Sequence, residues 1–288
     1  MIAERFRSLL FVPASRVDML ARAHERAADA IILDLEDGVA EADRPAARAS
    51  LACSLEGLRA KGIPALVRIN PLGSGGELDI AAIPDSLSPP LLLPKVTDPI
   101  QILAIEECWV TAGKELANLQ LLPMIESPKG MFQAELIATA TVRVSALVFG
   151  SEDFAAEAGL STDVEAMLMP AQWVALAAAA AGKAAYGLPG SLGNYQDGEL
   201  FEATLRRAKT IGFAGSLCIH PVQVTLANDV FQPGEEETKW AEAVVSQVAD
   251  SGGISGGVSG GELGMVDAPV LARARAILAQ SKMKTEES

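Results

Sequence analysis

Residues 121–130 read LLPMIESPKG: an apolar run, then the bare carboxylate of Glu126, then a Ser-Pro-Lys-Gly loop. A carboxylate at the end of a core strand is costly to desolvate unless something cationic meets it. The stretch therefore predicts a buried strand whose end delivers an acid to a functional rim. Counting this run as 119–126, the chain holds eight of its kind, the others at 7–13, 30–37, 64–70, 90–96, 145–153, 184–189 and 215–221. Near-continuous Leu, Ile and Val mark strands covered on both faces, as in a parallel sheet under helices. Most of the segments between them carry apolar residues at helical spacing, as in 16–28, with Ser15 as its expected N-cap, and 167–184. Eight such units in roughly 220 residues fit an α/β fold of the (β/α)8 or TIM barrel type. A doubly wound open sheet is the rival.

The C-terminal part is patterned differently. A helix is expected over 236–250, then the tract SGGISGGVSGG at 251–261, then a helix over 268–280. The tract follows no strand and has no phosphate-loop spacing, so it reads as a flexible Gly/Ser linker. The expected organisation is a barrel catalytic domain at 1–235 and a C-terminal helical extension or lid at 236–288.

A formal net charge of −14 argues against nucleic acid or an anionic membrane as partner, since both need a basic footprint. An anionic ligand would have to be held by local arginines. Cys53, Cys108 and Cys218 are far apart in apolar surroundings and are expected to be reduced, buried thiols of a cytoplasmic protein. No uninterrupted apolar stretch is long enough to span a bilayer.

In such a barrel, chemistry sits where strands end. Glu36 and Asp37 close the second run, Arg68 the third, Lys95 the fourth, Glu126 the fifth, Glu152 and Asp153 the sixth, and His220 the eighth. Glu126 and Asp153 come from consecutive strands, so their carboxylates would be neighbours, and a divalent cation would relieve their repulsion. Oxygen-only ligation points to Mg²⁺. The alternative for Glu126 is an ion pair with Lys95 or Lys129. Arg68 offers a planar, always charged fork suited to a carboxylate or a developing oxyanion; pairing with Glu36 or Asp37 is compatible with that role. Asp267 precedes a helix with Pro269 in its first turn and reads either as a cap or as an acid carried over the barrel mouth or onto a neighbouring subunit.

Taken in order, RSLLFVPASR (7–16), IILDLEDGV (31–39), VRIN (67–70), LLLPKV (91–96), PMIES (123–127), LVFGSEDF (147–154) and GFAGSLCIHPVQV (212–224) followed by Asn228 closely resemble the citrate lyase β-subunit and malyl-CoA lyase family. The resemblance implies a Mg²⁺-dependent (β/α)8 lyase that cleaves a 3-hydroxyacyl thioester of malyl-, citramalyl- or citryl-CoA type into acetyl-CoA and a 2-oxo acid. By motif, Glu126 and Asp153 become metal ligands, and Arg68 binds substrate and steadies the thioester enolate. Phe11, Arg16 and Arg22 hold the coenzyme A nucleotide. Asp37 joins Arg68 as a candidate catalytic residue, and Glu126 and His220 are candidate substrate contacts. Asp267 matches an acid that longer members supply from an adjacent subunit, which implies a homo-oligomer, trimer or hexamer. Where many relatives show Asp-Gly near the seventh strand, this chain has Tyr186-Gly187 followed by LPGSLGNYQD, expected to border the acyl pocket. The alternatives are an aldolase of the same superfamily acting on free acids and a subunit that works only on an acyl carrier.

Overall fold

The structure, a computed structural model, describes residues 6–250, 258–260 and 264–282. Within the unit Met1–Phe231, each of the eight apolar runs forms a strand: β1 (Ser8–Pro13), β2 (Ala30–Asp34), β3 (Ala65–Arg68), β4 (Leu91–Leu93), β5 (Leu121–Ile125), β6 (Ala146–Phe149), β7 (Ala184–Gly187) and β8 (Ser216–Cys218). Between and after them run α1 (Val17–Ala21), α2 (Arg44–Ala60), α3 (Gly76–Ala82), α4 (Pro99–Thr111), α5 (Pro128–Phe132), α6 (Ala134–Thr139), α7 (Ser151–Ala158), α8 (Val164–Ala180), α9 (Gly198–Ile211) and α10 (Pro221–Phe231). Strand neighbours are consecutive and parallel, in the order β7-β6-β5-β4-β3-β2-β1-β8. The remaining seam is bridged by backbone bonds from Ala214 N to Ala185 O (2.8 Å) and from Gly187 N to Gly215 O (3.1 Å). This is a nearly closed (β/α)8 barrel. The open sheet is excluded, because no strand is displaced from its sequence neighbour.

The alternation of side chains along each strand builds two cores from the same runs. Leu9, Ile32, Leu66, Leu92, Leu122, Met124, Val148, Tyr186 and Leu217 pack inside the barrel. Leu10, Leu33, Val67, Leu93, Ile125 and Phe149 face outward against the helices. Extending the inward parity past the apolar layers places Phe11, Asp34, Arg68 and Glu126 at the C-terminal mouth.

Helix boundaries depart from expectation at three places. The segment 16–28 is not one helix: α1 gives way to a 3-10 turn over Ala23–Arg26, and Ala27 turns left-handed (φ 53°). Arg16 holds the N-cap position that was expected for Ser15. The chain must turn here to enter β2, and Asn228 holds that exit by donating from Nδ2 to Ala27 O at 2.7 Å. The helix expected at 167–184 begins earlier, because Asp163 caps it through Ala166 N at 3.0 Å, and it ends at Ala180. The cysteines are free as expected, but only Cys218 is buried: Cys53 is exposed and Cys108 half-buried. Cys53 lies off the buried stripe of α2, which runs through Ala47, Leu51, Leu55 and Leu58.

The second unit, Gln232–Ser288, contains α11 (Glu235–Asp250), β9 (Val258–Gly260), β10 (Gly264–Val266) and α12 (Ala268–Lys282). Its core includes Ala241, Val244, Val266, Leu271 and Ala274. Part of the tract expected as a linker is therefore ordered: Val258–Gly260 pairs antiparallel with β10, whose Val266 is drawn into this core. Residues 251–257 and 261 of the tract lie outside the described residues. Among the described residues no helix is long and apolar enough to cross a membrane.

Candidate active site

Arg68 ends β3 and is gripped from β2. Its Nε and Nη2 donate to Asp34 Oδ1 and Oδ2, both at 2.7 Å, a bidentate clamp that fixes the guanidinium plane. Nη1 stands 3.1 Å from Glu36 Oε2 and 3.8 Å from Asp37 Oδ2. Glu36 Oε2 nevertheless has no aligned hydrogen bond. The guanidinium carbon lies 4.7 Å from the centroid of the Phe11 ring, which backs it as a cation–π partner. Burial opposes the Arg68 charge, but Asp34, Glu36 and Asp37 outweigh it and raise its pKa.

The clamp rests on a braced loop. Asp34 accepts from Glu36 N (3.0 Å) and Gly38 N (2.8 Å). A Cβ at Gly38 would collide with Asp34 Oδ2, so this turn requires glycine. Behind Arg68, fully buried Asp79 accepts at Oδ2 from Asn70 N and Nδ2, both at 2.7 Å, and at Oδ1 from Arg48 Nε at 2.6 Å. Asn70 Nδ2 also donates to Leu35 O at 2.8 Å, tying the β3 loop to the backbone between Asp34 and Glu36.

Lys95 links this cluster to Glu126. Its side chain donates to Glu36 Oε1 at 2.7 Å while its backbone N–H donates to Glu126 Oε2 at 2.6 Å. The Lys95 backbone is left-handed (φ 56°), a sparsely populated conformation for a side-chain-bearing residue and a mark of local strain. The hydrogen bond to Glu36 leads the effects that raise the Lys95 pKa. At Glu36, burial outweighs both cations and raises the carboxyl.

Glu126 is 4% exposed. Burial, with lesser repulsion from Asp153 and Glu36, pushes its carboxyl up to about 8 against the Lys95 N–H that favours the charged form. Gly150, ending the β6 run, leaves room for it: a Cβ there would stand 2.6 Å from Glu126 Oε1. Asp153, half-buried in the first turn of α7, is near enough to raise both Glu126 and Lys95.

The structure thus brings Phe11, Asp37, Arg68, Glu126 and Asp153 together at one mouth. The alternative ion pair of Glu126 with a lysine side chain does not form with Lys95, which meets it through the backbone and turns its ammonium to Glu36. Arg16 is exposed and held by Asp18 at 3.0 Å, and Arg22 is exposed at the end of α1. His220 stacks on Tyr195 with ring centroids 4.7 Å apart and 16° between planes. Asp267 caps α12 by accepting from Val270 N at 3.1 Å, inside the second unit. Among the described residues no group of three or more His, Cys, Asp or Glu is arranged to hold a metal.

Sequence reasoning missed Asp34, the principal partner of Arg68, by looking only at charges beyond the apolar run. The signal was present in LDLED: Asp34 and Glu36 are two residues apart and share the inward parity of Ile32.

Comparison with known proteins identifies the family and the fold. The HpcH/HpaI aldolase/citrate lyase model matches residues 7–221. Citrate lyase subunit beta of Haemophilus influenzae is 32% identical, the alignment covering 98% of each chain. The mitochondrial citramalyl-CoA lyase of Rattus norvegicus is 29% identical over 94% of this chain and 85% of its own. The structure of CitE from Mycobacterium tuberculosis in complex with magnesium, acetoacetate and coenzyme A superposes with a TM-score of 0.71 at 29% identity, covering 96% of this chain and 97% of that one. The chain belongs to the HpcH/HpaI aldolase/citrate lyase family, a family of carbon–carbon lyases that includes CoA-ester lyases.

Proposed function

We propose that this chain is a Mg²⁺-dependent lyase that cleaves a 3-hydroxyacyl-CoA of the malyl-, citramalyl- or citryl-CoA type into acetyl-CoA and a 2-oxo acid. The observation that carries the reading is Glu126: a carboxyl held up to about 8 by burial, beside Asp153 and across the mouth from a braced arginine. Burial leaves that carboxyl protonated at neutral pH unless a cation joins it. The donor set, two carboxylates without histidine or cysteine, suits a hard ion that keeps water and substrate oxygens in its remaining positions. Mg²⁺ held by Glu126 and Asp153 would supply Lewis-acid polarisation of the acid fragment's oxygens.

The remaining work falls to this chain's own groups. In the cleavage the substrate hydroxyl gives up its proton, the C–C bond electrons pass to the thioester carbonyl oxygen, and the resulting enolate takes a proton at carbon. Arg68, immobilised through Asp34, presents its Nη1 edge to the enolate oxygen, so little reorganisation is needed as charge develops there. Asp37, 57% exposed and 3.8 Å from Arg68 Nη1 and Lys95 Nζ, is assigned the hydroxyl proton. Asp267, supplied by an adjacent subunit of a homo-oligomer, is assigned the proton returned to the enolate carbon. Phe11, Arg16 and Arg22 hold the coenzyme A nucleotide, and His220 borders the substrate.

The test is to incubate the protein with acetyl-CoA and, separately, glyoxylate, pyruvate and oxaloacetate, in Mg²⁺ or in EDTA, and to follow the adduct by mass. A Mg²⁺-dependent CoA adduct is expected, with KM for the thioester raised by Arg16→Ala/Arg22→Ala. No adduct with any acid, or one undiminished by EDTA, would overturn the reading.

A further inference from the structure

The connection from β7 to α9, Leu188–Asp197, is tied down on both sides of the mouth. On the β6 side, Ser151 Oγ donates to Gly190 O at 2.6 Å. Ser191 Oγ and Leu192 N donate to Glu152 Oε1 at 2.6 and 3.1 Å. On the β8 side, Gln223 Nε2 donates to Leu192 O at 2.7 Å, and Tyr195 stacks on His220. Gln223 is itself fully buried and accepts at Oε1 from Ile219 N (2.7 Å) and His220 N (3.0 Å). Leu192 is therefore fixed at its own N–H and its own carbonyl. Its side chain, partly buried, packs on both the barrel-interior cluster that holds Tyr186 and Leu217 and the cluster between the barrel and its helices.

The charge on this arc is one-sided. Neither Leu188–Asp197 nor Phe213–Gln223 contains a lysine or arginine. The acids nearby are Glu152, Asp153 and Asp197. Of the basic groups that follow the strand ends, Arg68 and Lys95 are engaged by Asp34, Glu36 and Asp37, Arg16 after β1 is paired with Asp18, and Arg22 and Lys129 are exposed on their helices. With the thioester placed at Arg68 and the 2-oxo acid at Glu126 and Asp153, as the lyase reading has them, the far end of the acid would extend toward β7 and the connection that carries Leu192.

We propose that Leu192 is a specificity-determining residue that selects a 2-oxo acid ending in hydrogen or a small apolar group and rejects one with a second carboxylate. The inference rests on the lyase reading above. A second carboxylate at this arc would be desolvated against Leu192 beside Glu152 with no cation to pair it. A methyl group there would gain from burial.

The experiment compares kcat/KM for condensation of acetyl-CoA with pyruvate, glyoxylate and oxaloacetate in Mg²⁺. Adducts are identified by mass, so that pyruvate formed by decarboxylation of oxaloacetate is not miscounted. The wild type is expected to favour a monocarboxylic acid over oxaloacetate by about 10-fold or more, and Leu192→Arg to shift the oxaloacetate-to-pyruvate ratio upward by a similar factor. Leu192→Ala should move the ratio less, and is the variant to read if Leu192→Arg does not fold. Ligand-induced melting shifts in Mg²⁺ should rank the acids in the same order without turnover. Preference for oxaloacetate by the wild type, or a ratio unmoved in a folded variant, overturns the role of Leu192. Absence of any adduct with all three acids overturns the lyase reading instead.

Discussion

The barrel mouth has two unlike arcs. From β2 to β6 it carries Asp34, Glu36, Asp37, Arg68, Lys95, Glu126 and Asp153, joined by ion pairs and backbone contacts. Over β7 and β8 it carries Leu192 and the stacked Tyr195 and His220. Both arcs continue the same inward-facing apolar layers. On the first, nearly every charge has an opposite charge within reach, and the exception, Glu126, has a carboxyl pushed up to about 8. On the second, position is set by hydrogen bonds to backbone and by ring stacking. On the proposed reading the charged arc supplies the chemistry, while the second, which has no lysine or arginine, supplies shape.

The strongest way to break this contrast is to remove the acids of the charged arc. Glu126→Ala and Asp153→Ala are each expected to cut Mg²⁺-dependent turnover by a factor of order 10³ or more while melting stays cooperative. Full activity in either variant would move the chemistry elsewhere. Next in size is the clamp. Arg68→Lys should behave like Arg68→Ala, with turnover down of order 10²–10³-fold, because a point charge cannot reproduce the fork held by Asp34. Asp34→Asn should lose less, of order 10-fold, since the arginine remains but is no longer pinned. A lysine variant with near-normal kcat would make Arg68 a structural brace.

All eight strands were legible in the sequence because burial on both faces leaves unbroken apolar runs such as LVF before Gly150 and IIL before Asp34. The mouth was legible only where charge followed such a run, which found Arg68 and Glu126. Asp34 ends β2 as Arg68 ends β3, but it escaped because the run read as 30–37 continued past it to Glu36 and Asp37. The left-handed Lys95 and the tether of Leu192 to Glu152 and Gln223 depend on long-range contacts, 31 to 59 residues apart in sequence, that no local pattern encodes. At Ala27 the helix pattern was real, but the route into β2, held by Asn228, overrode it.

Asp267 belongs to the second unit. Its cap to Val270 explains the residue without catalysis. If it also donates to the enolate from an adjacent subunit, Asp267→Asn should lower turnover of order 10²-fold with thioester binding unchanged. Mixing that variant with Arg68→Ala should then restore activity through hybrid sites. Normal turnover by Asp267→Asn, or no restoration while subunits demonstrably exchange, reduces the residue to a cap.

The smallest effect sharpens the contrast through protons. Glu126 has a folded-state pKa of about 8 against an ordinary 4.5, so without metal the native state holds a proton that the unfolded chain has released between those values. Its contribution to stability is therefore complete below the unfolded pKa and is lost as pH rises toward 8. Glu36, also raised by burial, acts in the same direction. Bound Mg²⁺ favours the ionised carboxylate, so metal should stabilise more at high pH than at low. Melting in EDTA at pH 6 and pH 9 is expected to show a Tm lower by about 5 °C at the higher pH, with Mg²⁺ recovering most of the difference. Glu126→Gln should flatten both the pH dependence and the response to Mg²⁺. Leu192→Ala, on the second arc, should keep both. A Glu126→Gln variant that retains the full slope would place the titration outside the charged arc and remove the electrostatic half of the contrast.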